Sequence, residues 1–535
     1  MKPPRLIPAV ALLLLMAVQS FAAQALLPQP VRVESGLLEG VAATAGNITI
    51  FKGIPYAAPP VGERRWREPE PALKWQGVRK ADAYGASCPQ IRGSGQPPYT
   101  HEFAAPPAQS EDCLFLNVWT PAKTAGDKLA TLLYIHGGSG VRGSGSSVLL
   151  DGEALARKGI IVITINFRLG IFSGMGHPQL TQESPHRSCG NYGMLDMIAA
   201  MQWVQKNVAA FGGDPGKVTI AGHSSGCVAM HYLTTSPLTK GLFRGAIAIS
   251  FPYDYLTKQH AIGNVWQKEQ EGLKFAAAKK LKTVAELRAL SPQELMADDP
   301  AVGAFTRACL SGSPNIDGWS FIHKYPQALE RGLENDVPTL TGITIDDYGP
   351  PAQYSHVTLA NYVARLPLVF GENRQAFAAI QDAYLAANPV TTDLQASEMV
   401  KRAQVEYRLC DVFHWAKARS KTAKAPVYTY LFEQPIPWPQ HPQFGAFHGG
   451  DLIYFFNNLN KMNRPWTADD HRVADLASSY WVQFVKTINP NGDGLQRWKP
   501  FDADDPTTMS LTVNPGPREI AGKERIGFYR QLLEK

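Results

Sequence analysis

The chain has 535 residues, a formal net charge of +6, 44% hydrophobic and 18% charged residues. That balance supplies a large apolar core and excludes a collagen-like chain, a highly charged disordered chain and a small disulfide-stapled scaffold. Its six cysteines show no CxxC or His-rich metal spacing, and no basic stripe with interleaved aromatics suggests nucleic-acid binding.

In chain order, Lys2 and Arg5 precede an apolar run over residues 7–18, and Ala23-Gln24-Ala25 offers small residues for cleavage. The expectation is a signal peptide over 1–25 and an exported mature protein over 26–535, periplasmic or extracellular, whose length allows one large domain or two to four ordinary ones. The run is too short for a stable membrane span. Cys88 and Cys113 flank a Pro/Gly/Ser-rich loop and are the best candidate bridge. Cys189, Cys227, Cys309 and Cys410 are not paired by the sequence.

Residues 131–135 read as a buried strand that stops at His136-Gly137-Gly138, and 159–165 as a second. A packed helix is expected over 193–211, a strand over 217–221, a helix from Cys227 and a strand over 245–250. Residues 253–311 are more polar and helical, in the manner of a cap or insertion. Strands over 337–343 and 428–432 and a helix over 474–487 complete the pattern. Strand and helix alternate, so the fold class is α/β, with a mostly parallel central sheet, flanking helices and cap-like insertions.

Gly222-His223-Ser224-Ser225-Gly226 falls between an expected strand and helix, where a Gly-x-Ser-x-Gly turn exposes its central hydroxyl. A serine needs a base to take its proton and a carboxylate to orient that base. His448, in the Gly/aromatic-rich loop after the late strand, is the candidate base; His441, His136 and His223 are its rivals. Asp347 follows a strand and gives the chain order Ser224, Asp347, His448, with Asp346 its neighbouring rival. Backbone N–H groups of Gly138, Ser139 and Ser225 are candidates for stabilising an oxyanion. Such chemistry needs neither a metal nor an organic cofactor.

With these residues in place, the chain resembles the type-B carboxylesterase and cholinesterase-like family of the α/β-hydrolase fold over nearly all of 26–535. The resemblance is carried by Phe51-Lys52-Gly53-Ile54-Pro55-Tyr56-Ala57, Ser110-Glu111-Asp112-Cys113-Leu114-Phe115-Leu116-Asn117-Val118, Asn166-Phe167-Arg168-Leu169-Gly170 and Phe211-Gly212-Gly213-Asp214-Pro215. It implies a serine hydrolase cleaving carboxylic esters of small molecules through an acyl-enzyme, a single catalytic domain over 26–535 enlarged by insertions, and a Cys88–Cys113 disulfide. Departures from the family pattern are Asp347 and Asp451 where Glu is usual, His223 before the nucleophile, and Ser139-Gly140 in the oxyanion loop. His223, Asp451, Trp438, Phe444 and Phe447 are therefore candidate pocket or supporting residues, the three aromatics serving equally well as packing around His448. The loop between Cys88 and Cys113 has Tyr99 and Phe103 but no Trp, which favours a carboxylesterase over a choline esterase. A catalytically silent binding or adhesion protein and an amidase are the alternatives.

Overall fold

The computed structural model describes residues 26–44, 46–91, 93, 95–250, 263–297, 314–347 and 356–533. The expected leader over 1–25 and Cys309 lie outside the described residues, as do 253–262 and 298–311 of the expected insertion.

Among the described residues an eleven-stranded sheet forms the frame. In chain order its strands are β1 (Val41–Ala42), β2 (Thr49–Pro55), β3 (Phe115–Thr120), β4 (Leu129–Ile135), β5 (Ile161–Ile165), β6 (Gly213–His223), β7 (Gly245–Ile249), β8 (Thr339–Thr344), β9 (Val427–Phe432), β10 (Thr507–Leu511) and β11 (Gly516–Glu519). Across the sheet they run β11-β10-β9-β8-β7-β6-β4-β5-β3-β2-β1. Strands β10 through β5 in that order are parallel, while β11 at one edge and β3, β2 and β1 at the other are antiparallel. The fold is therefore the expected α/β-hydrolase architecture.

The central strands are apolar without interruption because both faces are covered. On β4, Leu133 and Ile135 enter one core while Leu132 and Tyr134 enter the other. Helix α1 (Tyr192–Asn207) brings Met194, Ile198, Met201 and Val204 to the first core. Helix α4 (Ala468–Thr487) brings Trp481, Phe484 and Val485 to the second. Helix α2 (Ser225–Thr235) follows β6 directly, and the long helix α3 (Asp393–Arg419) covers the far side of β8 and β9. The described part of the insertion forms helices Val265–Ala278, Val284–Ala289 and Pro292–Met296, each opened by a reciprocal side-chain cap.

Cys88 and Cys113 form a buried disulfide, and Cys189, Cys227 and Cys410 are buried thiols. No helix among the described residues is long and apolar enough to cross a membrane.

One buried ion pair locks the first core. Arg168 donates through Nε at 2.8 Å and Nη2 at 2.7 Å to the two oxygens of Asp196, which also accepts the Arg168 backbone N–H at 3.0 Å. Both side chains are almost fully buried. Asp196→Ala leaves the guanidinium buried without its counter-charge and is expected to cost about 3–5 kcal/mol. A urea midpoint equal to wild type contradicts this.

Candidate active site

Ser224 stands at the carboxyl end of β6, where the chain reverses into α2. Its backbone lies at φ 56° and ψ −121°, a conformation that costs a non-glycine residue about 1–3 kcal/mol. The turn is held by the Ser224 N–H donating to Ile249 O at 2.9 Å and by Ser224 O accepting from Cys227 N at 2.9 Å and Val228 N at 3.1 Å. Glycine is required on both sides. A Cβ at Gly222 would stand 2.2 Å from Gly226 O, and one at Gly226 would stand 2.5 Å from Ile135 O.

Asp347 follows β8 and His448 follows β9, so the sheet delivers both to the same edge as Ser224. Asp347 Oδ1 pairs with His448 Nδ1, while its second oxygen has no hydrogen-bond partner among the described residues. Burial opposes protonation of His448, but the charge and hydrogen bond of Asp347, aided by Asp451, hold its pKa above the usual 6.5. The imidazole Nδ1 is thus committed to a carboxylate, leaving Nε2 for proton exchange. The shorter Asp347 reaches the ring directly.

Asp346 points elsewhere. Its Oδ2 accepts from Ala446 N at 2.9 Å, its N–H donates to Ala446 O at 3.2 Å, and Oδ1 lies 2.6 Å from Lys401 Nζ on α3. It therefore ties the segment bearing Asp347 to the loop bearing His448. Sequence reasoning treated Asp346 only as a rival acid, because the Lys401 and Ala446 contacts join residues far apart in the chain.

Ser139 also has positive φ, 58°, in the loop after β4. Gly140 N–H donates to Ser225 Oγ at 3.0 Å, which fastens this loop to the start of α2. The backbone N–H groups of Gly138, Ser139 and Ser225 make no hydrogen bond among the described residues, and a helix start leaves such donors unspent. Gly138 and Ser139 line the cavity that holds Ser224, and Ser225 directly follows the serine in the chain.

A cavity of about 250 Å³ opens over the serine. Its wall includes Ser224, His448, His223, Gly138 and Ser139, with Tyr99, Phe103, Arg142, Leu149, Leu150 and Leu452. Tyr99 and Phe103 come from the disulfide-bounded loop, which Ser147 Oγ anchors by donating to Ala104 O at 2.9 Å. The candidate aromatics Trp438, Phe444 and Phe447 are not lining residues. They pack instead, with ring centroids 5.6 Å apart for Trp438–Phe444 and 6.4 Å for Phe444–Phe447, and Phe447 backs Tyr99 at 5.8 Å.

The rival histidines sit differently. His223 is buried with its ring 4.7 Å from that of His448; burial, then the neighbouring His448 charge, pushes its pKa well down. His136 stacks on Phe167 at 4.3 Å and burial lowers its pKa to about 4. His441 lies against Trp438, outside the cavity wall. Asp451 is fully buried beneath His448 and its pKa is pushed up to about 7, by burial first and by the Asp347 charge second. Among the described residues no cluster of His, Cys, Asp or Glu has the arrangement of a metal site.

The family model of the carboxylesterase family matches residues 28–529. This chain belongs to the carboxylesterase family. It is a carboxylesterase-type serine hydrolase acting on carboxylic esters. It is 32% identical to the fumonisin B1 esterase of Sphingopyxis macrogoltabida, over 89% of this chain and 85% of that one. It is 31% identical to the para-nitrobenzyl esterase of Bacillus subtilis (strain 168), over 90% and 94% respectively. It is 28% identical to human cocaine esterase over 93% and 89%. A solved structure of PNB esterase superposes with a TM-score of 0.75 at 28% identity, covering 94% of this chain and 99% of that chain.

The glycine requirement at the serine turn is directly testable. Gly222→Ala forces a methyl group against fixed backbone and is expected to destabilise the protein by about 1–3 kcal/mol, with turnover falling alongside. Denaturant titration and ester hydrolysis at wild-type levels would show that the turn tolerates a side chain.

Proposed function

We propose that Ser224 is the nucleophile of this esterase, His448 its general base and acid, and Asp347 the group that orients and charges the imidazole. The observation that carries the reading is the Asp347–His448 pair opening into the same cavity as Ser224, whose backbone is held in a strained strand-to-helix turn.

Ser224 Oγ attacks the ester carbonyl as His448 Nε2 removes its proton. The N–H groups of Gly138, Ser139 and Ser225 receive the oxyanion of the tetrahedral intermediate. The alcohol departs with the proton from His448, leaving an acyl group on Ser224. Water activated by the same imidazole then releases the acid and restores the serine. His223 and Asp451 support this polar environment without taking the proton. The relatives are named for different substrates, so the reading is a carboxylic ester of small-molecule size. We propose export as well, on the leader-like residues 1–25 and the buried Cys88–Cys113 disulfide, which suits an oxidising compartment.

Stopped-flow acylation on one activated ester tests the roles. Ser224→Ala is expected to lose at least about a thousandfold, and His448→Ala at least about a hundredfold. His223→Gln is expected to lose less than His448→Ala. The reverse ranking in folded variants overturns the assignment.

The raised pKa of His448 also fixes a sign. The base works when neutral, so kcat/KM rises as pH climbs through that pKa, with the acid limb centred above 6.5. Asp451→Asn removes a negative neighbour and is expected to move the limb to lower pH. A pH–rate profile with an unmoved or upward-shifted limb contradicts the coupling.

A further inference from the structure

Arg142 is the one Arg, Lys, Asp or Glu in the wall of the Ser224 cavity among the described residues. Its backbone N–H donates to Gly138 O at 3.1 Å, so it is tied to the loop bordering the serine. Its side chain is exposed and makes neither an ion pair nor a hydrogen bond among the described residues. Three arginines outside the cavity wall are paired: Arg65 with Glu111, Arg168 with Asp196 and Arg464 with Glu102. Arg142 Nη1 reaches across the opening to within 3.8 Å of the place a Cβ on Gly93 would occupy, on the disulfide-bounded loop.

The same loop carries Tyr99, a wall residue whose hydroxyl has no hydrogen-bond partner among the described residues. Burial and then Asp347 push the Tyr99 pKa up to about 12, and Arg142 counters them, so the guanidinium field reaches this phenol. Tyr99 therefore stays a neutral donor. A fork of N–H groups and an O–H line one opening, and neither side chain has a hydrogen-bond acceptor among the described residues.

We infer that Arg142 and Tyr99 form an anion subsite, and that the preferred substrates are carboxylic esters bearing a second, ionised carboxylate. The inference rests on the Ser224 esterase reading and adds the substrate class. The carboxylate accepts from the guanidinium and the phenol while the ester carbonyl lies over Ser224. The extra charge arrives on either the acyl or the alcohol part, and two pairs of esters separate these sources. On the acyl side, monoethyl succinate is compared with ethyl isocaproate, which replaces the carboxylate by an isopropyl group. On the alcohol side, butanoyloxyacetate is compared with isobutyl butanoate in the same way.

The quantity read is kcat/KM for the carboxylate ester divided by that for its isopropyl partner. Wild type is expected to favour the carboxylate on one arm, and Arg142→Gln to lower that ratio at least about tenfold, the scale of a charge-assisted hydrogen bond. Arg142→Lys is expected to fall between the two, Tyr99→Phe to lower the ratio less, and molar salt to shrink the wild-type preference. Ratios on both arms that stay within about twofold in Arg142→Gln, less than one such bond supplies, overturn the subsite. A wild-type protein that hydrolyses the neutral partners but neither carboxylate ester overturns it equally. Failure of the underlying reading looks different: no turnover of any of the four esters and no labelling of Ser224 by a fluorophosphonate.

Discussion

The rest of the site depends on one backbone constraint, the reversal at Ser224 between β6 and α2. A serine at φ 56° and ψ −121° is held there by hydrogen bonds to the end of the neighbouring β7 and from the first turn of α2, and by two glycines whose missing Cβ atoms leave room for crossing carbonyls. The start of α2 then brings Ser225 Oγ to Gly140 N–H and fixes the loop after β4. Because β6, β7, β8 and β9 are neighbours and parallel, the segments after β8 and β9 arrive at the same edge. Asp347 and His448 meet there, over a hundred residues after Ser224 in the chain.

The electrostatics around this edge limit which groups hold charge. Burial and the nearby His448 charge keep His223 neutral, and burial together with Asp347 raises Asp451 into the neutral range. Of these two departures from the family pattern, His223 adds no competing charge beside the Asp347–His448 pair, while Asp451 is a partly ionised neighbour that helps hold the His448 pKa up. Asp346, in contact with Lys401 and Ala446, is a mechanical link between the two segments.

Much of this was legible in the sequence because the central strands bury both faces and so read as unbroken apolar runs. Strands β4, β5, β7, β8 and β9 fall within a few residues of the expected ranges, and β6 extends beyond its expected core at both ends. Helix α3 was not read, since its buried positions include Gln404, Glu406, Asp411 and Arg419, which break the apolar periodicity. Strands β1 to β3 were missed as well: β1 is two exposed residues, and β3 carries Asn117 and Thr120 among its buried positions. Turn chemistry and chain order singled out Ser224, Asp347 and His448, which the sheet brings to one edge. The cavity wall was not, because Tyr99, Arg142, Leu149 and Leu452 meet only through tertiary packing.

The most direct measurement of the central claim is chemical quenching of an activated ester reaction within the first turnover, followed by peptide mapping by mass spectrometry. The account predicts an acyl mass on Ser224 that appears with the burst of released alcohol and decays at the rate of acid release. An acyl group on a different side chain, or a burst in which the Ser224 peptide stays unmodified throughout, would contradict it.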